Sequence, residues 1–298
     1  MQLVIFLKGA RVPVGSVSPS GAYHKVTEGR WVRVSASRKN LPARVRRQVT
    51  VPPAWTDVHY FSDPGAKLLV KGKDAKGRMQ YLYNPEHVTM RAAEKFARIN
   101  ALNKSYDAIV EENAGNARKG SEEAQCLLLV LATGIRPGSE KETKGSVQVH
   151  GATTLEGRHV VKQGDAVRLE FIGKRGLKQS IPVNDPGVAK MLLRRKRTMG
   201  KNGRLFGVIG DQLLRYAKGL GGGAGFQTKD FRTHLGTDVA LKKMRRITRP
   251  KTMLEYKKAV RAVADAVAAR LGNTRKVALQ SYVNPAIFER WRSKLETT

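Results

Sequence analysis

The first part of the chain alternates apolar and polar residues at the period of a β-strand. The stretch YHKVTEGRWVRV, residues 23–34, alternates on both sides of a Glu-Gly pair and predicts a β-hairpin. The stretch GAKLLVKGKDAKGRMQYLYN, residues 65–84, predicts a second hairpin, because two strand-like runs flank a turn rich in Gly and Lys. Residues 1–87 are therefore expected to form strands and turns.

The pattern changes to helical spacing near residue 88. Residues 87–114 carry apolar side chains at helical intervals with no Gly or Pro before Gly115. The stretch SEEAQCLLLVLATG predicts a second helix with Ser121 as its N-cap. A β patch follows, and helices are predicted afterwards; the ranges are 146–183 for the patch and 185–198, 229–247, 252–271 and the residues after Pro285 for the helices. The pattern predicts an α+β protein with a small β-rich domain, a helical connector, and a larger, mainly α domain that contains a small antiparallel sheet.

Charge narrows the class of partner. The chain has 298 residues, of which 41% are apolar, and its 56 Lys and Arg against 24 acids give a net charge of +32. Such a surplus repels itself unless a polyanion neutralises it, which makes nucleic acid the first candidate. An anionic membrane is the second candidate, but the sequence offers no long apolar span and no lipidation motif. The single cysteine, Cys126, excludes a disulfide framework, favours a cytoplasmic location, and is expected to be a buried, inert thiol.

Three basic residues stand in unusual surroundings. Arg136 follows the apolar run LLLVLATGI, which predicts the end of a buried helix. If its side chain lies on the inner face of that helix, it needs an anion as a partner. The alternative is a cation at the helix C-terminus that is stabilised by the helix dipole. Lys174 lies in the hairpin turn of LEFIGKRGLKQ, where it is either solvated or inserted into a nucleic-acid groove. Arg232 falls in the first turn of a predicted helix, where the dipole disfavours a cation and an anion would offset the cost.

Tyr282 lies in QSYVNP, a small polar break between predicted helices. A tyrosine can attack a phosphodiester and conserve its energy in a phosphotyrosine bond. Two arginines would stabilise the charge on the phosphate oxygens, and a lysine would protonate the leaving alkoxide. The set therefore suggests phosphoryl transfer that needs no cofactor, neither metal nor ATP.

Two other features give no cofactor site. The glycine-rich stretch GLGGGAGF lacks the Gly-Lys-Ser/Thr ending of a phosphate-binding loop and the spacing of a dinucleotide fingerprint. The six histidines and one cysteine show no metal-ligand spacing, so no metal site is expected.

Several separate motifs, in this order, resemble those of the type IB DNA topoisomerases of the poxvirus and bacterial kind. They are LPARVRRQVTVPPAWTDV, GKDAKGRMQYLY, GIRPGSE, HGATTLEGRHV, FIGKRG, KDFRTHLGT and SYVNP, and the resemblance runs from Leu41 to Trp291. It implies ATP-independent relaxation of supercoiled DNA through a 3′-phosphotyrosine intermediate. It also implies double-stranded DNA as partner, a monomer, and a bacterial, phage or viral source.

The resemblance assigns roles within these motifs. Arg136 and Arg232 match the catalytic arginines, Lys174 the catalytic lysine, and Tyr282 the nucleophile. The family usually has histidine nine residues before the nucleophile, and this chain has Asn273 there. An amide can donate a hydrogen bond to a phosphate oxygen but cannot carry charge or act as an acid, so Asn273 is expected to be a transition-state contact only.

The resemblance also divides the chain. Residues 1–36 have no counterpart and form an extension of unknown role, residues 37–87 match the β-rich DNA-binding domain, and residues 88–298 match the mainly helical catalytic domain. The two domains are expected to form a clamp around DNA.

One stretch of the β-rich domain is expected to contact bases and phosphates. Gln80, Tyr81 and Tyr83 match a family segment that contacts DNA in the major groove. The two tyrosines, two residues apart, would share one face of a strand while Leu82 points to the core. The alternative is that both tyrosines merely cover a small sheet.

Two other functions remain open at this stage. Tyrosine recombinases share the Arg, Lys, Arg and Tyr chemistry, but they normally have His-x-x-Arg where this chain has Lys229-Asp-Phe-Arg232, and their N-terminal domain is helical. A non-catalytic basic DNA-binding protein would explain the charge but not the surroundings of Tyr282.

Overall fold

Two units make up the chain, Met1–Phe96 and Ala97–Thr298. The computed structural model describes residues 29–34, 41–220, 225–293 and 295, except the side chain of Arg175. The first arm of the predicted hairpin at 23–34, most of the expected extension 1–36, and residues 221–224 of the glycine-rich loop lie outside the described residues. The expected three-part division stays a prediction.

The first unit contains an antiparallel sheet in the order β1-β2-β3-β4. Its strands are β1 (Trp31–Arg33), β2 (Thr56–Phe61), β3 (Leu68–Lys73) and β4 (Met79–Tyr83). Strands β3 and β4 pair through Gly72 and Gln80, which confirms the predicted second hairpin. Val45 and the β3 residues Leu69 and Val70 are fully buried in the apolar cluster of this unit.

A short helix in this unit corrects the expectation of strands and turns alone. Helix α1 (Ala43–Gln48) directs Val45 into the core and its arginines outward. One buried residue in six gives too weak a helical period to detect in the sequence. Packing of Val45 against the sheet, rather than periodicity, therefore fixes α1.

Most of the helices that follow agree with the pattern. The helices are α2 (Pro85–Arg118), α3 (Glu122–Thr133), α4 (Pro186–Met199), α5 (Gly210–Gly219), α6 (Thr228–Arg245), α7 (Met253–Leu271), α8 (Arg275–Ser281) and α9 (Glu289–Arg292). Ser121 caps α3 as predicted, accepting a bond from the N–H of Ala124 at 3.1 Å. Helix α2 continues past Gly115, and the sequence pattern did not predict α5 or α8.

The predicted small sheet is present in the second unit. Its strands β5 (Val160–Gln163), β6 (Ala166–Gly173) and β7 (Leu177–Pro182) are antiparallel, and a 3-10 turn, Lys174–Gly176, joins β6 to β7. The β patch predicted to begin at 146 begins only at Val160, because short 3-10 turns occupy part of the preceding segment. Helices with two small antiparallel sheets confirm the α+β class.

Two apolar clusters support the second unit. Helix α3 lies in the first, where Cys126 is fully buried and burial raises the pKa of its thiol to about 12, confirming the expected inert thiol. The second joins α7 and α8 to the C-terminal residues Phe288 and Trp291, and it includes Tyr282. Among the described residues, no helix has both the length and the apolar character needed to cross a membrane.

Candidate active site

Two arginines bind the carboxyl end of helix α3. The helix ends at Gly134, whose φ of 68° is left-handed and suits glycine. Arg270 donates to the carbonyl oxygens of Thr133 at 3.2 Å and Ala132 at 2.5 Å, and Arg232 donates to that of Gly134 at 2.5 Å. The unpaired carbonyls of a helix end carry partial negative charge, so this end can hold cations that would otherwise repel each other.

Arg232 is almost fully buried, with 5% exposure. Its other terminal nitrogen donates to the carbonyl oxygen of Leu271, at the end of α7. Arg232 is the fifth residue of α6, beyond the first turn where the sequence analysis placed it. The cost of its charge is therefore one of burial, and the carboxyl ends of two other helices offset it. Its Nε remains buried and has no hydrogen-bond partner among the described residues.

The electrostatics of Arg232 favour an anion. Burial lowers the pKa of its guanidinium, the nearby Tyr282 partly offsets this, and the positive charges of Arg136 and Arg270 lower it further. No carboxylate of the described residues forms an ion pair with any of these three arginines. A buried cation without a counterion and with an unpaired donor makes a strong anion site.

Tyr282 lies against this cluster and is 6% exposed. Its hydroxyl accepts a hydrogen bond from Nη2 of Arg136, and the guanidinium carbon of Arg232 lies 5.0 Å from its ring centroid. Helix α8 ends just before it, and Asn284 caps the next 3-10 turn, confirming the predicted break between helices. Gly236 permits the close approach of α6, since a Cβ there would lie 2.7 Å from the carbonyl oxygen of Tyr282.

Asn273 is the second residue after α7, which ends at Leu271. Its backbone N–H bonds the carbonyl oxygen of Ala268 at 2.9 Å. Its side-chain Nδ2 is buried without a hydrogen-bond partner among the described residues. This amide is therefore a second unused donor, two residues beyond the carbonyl of Leu271 that holds Arg232.

Lys174 begins the turn between β6 and β7 and is exposed. Its ammonium makes no hydrogen bond or ion pair with another described residue. The structure thus brings Arg136, Arg232 and Tyr282 into contact and leaves Lys174 on a hairpin tip.

The segment HGATTLEGRHV supports the site, a role that the sequence did not reveal. The N–H of Ala152 bonds the carbonyl oxygen of Arg136 at 2.8 Å, and that of Thr153 bonds Pro137 at 2.7 Å. The N–H of His150 bonds the carbonyl oxygen of Ile172, on β6, at 2.8 Å. This segment therefore connects the loop of Arg136 to the strand that leads to Lys174.

The sequence analysis also did not identify a buried ion pair that involves Asp230, two residues before Arg232. Asp230 is 0% exposed and binds Arg98 of α2, with Nε to Oδ2 at 2.9 Å. Its Oδ2 also accepts from the N–H of Gln227, where α6 begins. Asp230 thus fixes the first turn of the helix that carries Arg232.

In the first unit, strand β4 places its polar residues on two faces. Tyr81 and Tyr83 are 48% and 47% exposed on one face, and Leu82 packs towards the core, as predicted. Gln80 shares the face of Leu82, and its Nε2 donates to Oδ2 of Asp74 at 2.9 Å. A hydrogen bond from Arg78 is the main reason why the pKa of Asp74 is lowered to about 2.

Some of the Lys and Arg side chains form contacts within the protein. Arg195 binds Glu122 at 2.6 Å, Lys196 donates to the carbonyl of Val160 at 2.6 Å, and Arg204 binds Glu140 at 2.7 Å. These side chains connect elements of the second unit in addition to charging its surface. Within the described residues, no three His, Cys, Asp or Glu side chains converge so as to hold a metal ion.

The known proteins that this chain resembles are DNA topoisomerases. Residues 84–298 match the family described as eukaryotic DNA topoisomerase I, catalytic core. The chain is 27% identical over 271 residues to DNA topoisomerase 1B of Acanthamoeba polyphaga mimivirus, covering 84% of this chain and 80% of that protein. It is 28% identical over 147 residues to DNA topoisomerase 1B of Vaccinia virus (strain Copenhagen), covering 46% of each, so this match spans about half of the vaccinia protein. DNA topoisomerase 1 of Rabbit fibroma virus (strain Kasza) is 22% identical over 179 residues, 57% of each chain.

Proposed function

Because the chain belongs to the DNA topoisomerase I catalytic-core family that its residues 84–298 match, we propose that it relaxes supercoiled duplex DNA by cutting and rejoining one strand. The observation that carries the proposal is the buried cluster in which Arg136 donates to the hydroxyl of Tyr282 beside Arg232. A passive DNA-binding protein has no need for a buried tyrosine between two guanidinium groups.

The scissile phosphate would bind where donors are unused. Nε of Arg232 and Nδ2 of Asn273 are the buried nitrogens of the cluster without partners among the described residues. Together with Arg136 they can donate to the non-bridging oxygens. These donors are held by the protein before the reaction, so they cost little reorganisation as charge develops.

Tyr282 is the proposed nucleophile. Its phenolic oxygen attacks phosphorus and gives its proton to solvent water, while the bond from phosphorus to the 5′ oxygen breaks. The product is a 3′-phosphotyrosine and a free 5′ hydroxyl, whose proton comes from Lys174. After the DNA end rotates, the 5′ hydroxyl attacks the phosphotyrosine and the same steps reverse, so ATP is not consumed.

Lys174 and the first unit are proposed to contact the bound DNA. An exposed lysine on a hairpin tip can reach a groove of bound DNA. The two units would close as a clamp around the duplex, with the edge strand β4, which carries Gln80, Tyr81 and Tyr83, against the DNA. We propose a monomer acting in the cytoplasm, where its single cysteine stays reduced.

A plasmid relaxation assay without ATP and with EDTA tests the function. The wild-type chain should relax the plasmid, and denaturant should trap protein on the 3′ end of a nicked strand. Tyr282→Phe should abolish both while DNA affinity stays within a few-fold, since only a hydroxyl is removed.

Tyr216→Phe provides a matched control. It removes a hydroxyl that bonds Asn116 instead of the arginines, so relaxation should persist. Near-normal relaxation by Tyr282→Phe would disprove the assignment of the nucleophile. No relaxation by the wild-type chain would favour a passive binder, and a requirement for paired sites would favour a recombinase.

A further inference from the structure

The hairpin that carries Lys174 has little packing on one side. A cavity of about 770 Å³ lies along the small sheet, and it is lined by residues of β6 and β7 together with His150 and His159. Lys174 itself is exposed. The bond from the N–H of His150 to the carbonyl oxygen of Ile172 holds β6. A general acid must also stay within hydrogen-bond reach of its target, so a further contact beside the hairpin tip would help to fix it relative to the arginine cluster.

Gln179 supplies such a contact. It lies on β7 opposite Phe171, and its side chain runs between two glycines. A Cβ on Gly173 would lie 2.7 Å from Cγ of Gln179, and a Cβ on Gly272 would lie 2.9 Å from its Oε1. Both distances are shorter than real Cβ contacts, and Gly272 also has a left-handed φ of 60° that suits glycine, so these two glycines border the side chain of Gln179.

Each of these glycines directly precedes a candidate site residue. Gly173 precedes Lys174 on the hairpin, and Gly272 precedes Asn273 at the end of α7. The same helix end supplies the carbonyl of Leu271 that binds Arg232. Gln179 thus brings the Lys174 hairpin next to the helix end that holds Arg232 and Asn273.

We propose that Gln179 is a positioning residue for the proton transfer by Lys174. It acts by keeping the hairpin at a fixed distance from the helix end beside the scissile phosphate. The inference rests on the proposed function, because it concerns the same reaction. A neutral amide suits the position, since a carboxylate there would add negative charge next to the bound phosphate.

The test compares two leaving groups in single-turnover cleavage by the full chain. A 5′ oxygen needs a proton, whereas a 5′ sulfur leaves as a thiolate without one. Gln179→Ala should slow cleavage of the oxygen substrate by about 10-fold, since small misplacements of a catalytic group have large effects. On the sulfur substrate it should cleave within about twofold of wild type, because the general acid is then dispensable.

Two further variants separate positioning from folding. Gln163→Ala makes the same change at an exposed glutamine of β5 and should match wild type on both substrates. Gln179→Met keeps the length of the side chain and should recover most of the rate on oxygen. In a double-mutant cycle, Gln179→Ala should add nothing to Lys174→Ala, because a residue that acts only through Lys174 has no effect once it is gone.

Three results would overturn the inference. They are an unchanged rate for Gln179→Ala, an equal loss on both substrates, and additive losses with Lys174→Ala. If the wild-type chain cleaves neither substrate, the proposed function itself fails. If Lys174→Ala is rescued by sulfur but Gln179→Ala is not, only the role of Gln179 fails.

Discussion

At the scale of single residues, Arg232 combines two tasks in one guanidinium. Its terminal nitrogens bind the carbonyls of Gly134 and Leu271, while its Nε stays unused. The planar fork of arginine allows both at once, whereas a lysine ammonium offers one point of charge. The structural bonds therefore aim the remaining donor at the proposed phosphate site.

We therefore expect Arg232→Lys to be nearly as slow as Arg232→Ala. Each should lower the rates of cleavage and religation together by about 10²-fold or more, the scale of a lost oxyanion donor. Arg118→Lys, at an exposed position at the end of α2, is the matched control and should match wild type. Rapid-quench measurement of both steps provides the check. A loss confined to DNA affinity would mean that Arg232 is an ordinary phosphate contact.

At the scale of elements, the site depends on the loop of Arg136 being held by a second loop. Gly151 lies so close that a Cβ there would be 2.6 Å from the carbonyl oxygen of Arg136 and 2.5 Å from the N–H nitrogen of Gly138. Both neighbours are backbone atoms, which cannot rotate away as a side chain can. Any side chain at 151 must therefore displace the Arg136 loop.

Gly151→Ala should consequently lower relaxation by at least about 10-fold without loss of DNA binding, because misplacing a positioned group affects the chemical step. Gly115→Ala is the control. A Cβ added at this position would have no neighbouring atom within 4 Å, and alanine has a higher helix propensity than glycine in the interior of α2. Relaxation kinetics and thermal unfolding of both variants would test this. Equal activity of the two variants would contradict the bracing role of the 150–154 segment.

Strand β4 gives a prediction about sequence preference. Gln80 is held by Asp74, so its amide is oriented before DNA arrives, whereas Tyr81 and Tyr83 project from the other face. We expect Gln80→Ala to change which sites are cut, costing about 1–3 kcal/mol where an adenine is read. Tyr81→Ala and Tyr83→Ala should weaken cleavage more evenly, as phosphate contacts do. A cleavage map on one labelled duplex would show the difference, and an unchanged map for Gln80→Ala would refute base reading by this strand.

At the scale of the whole molecule, the net charge of +32 predicts that salt competes strongly with DNA for the protein. A protein that neutralises six or more phosphates loses about 10³-fold or more in affinity between about 50 and 200 mM salt. We expect a loss of that size for non-specific duplex, measured by fluorescence anisotropy. Tyr282→Phe should show the same slope because it removes no charge. A nearly flat dependence would mean that the basic residues serve mainly internal contacts, as Arg195 does.

Much of the fold could be predicted because local signals agreed with tertiary packing. The Ser121 cap, the β3–β4 hairpin and helices α6 and α7 each follow from periodicity and end signals. Helix α8 was missed because seven residues give fewer than two full helical turns, and its Thr274 cap has no strong pattern after it. Helix α1 was missed for the same reason.

The sequence by itself determined the residue types of the chemistry, their order along the chain, and the excess of positive charge. Arg136, Lys174, Arg232 and Tyr282 are identifiable because motifs record short-range spacing. Only the tertiary structure decided that Arg136 and Arg232 both contact Tyr282. It also decided that the carboxyl ends of helices bind Arg232 and Arg270, and that Gln179 lies between Gly173 and Gly272. These contacts join residues far apart in the chain, and their energies depend on burial and on the direction of carbonyl groups. Neither quantity is fixed until the helices have packed together.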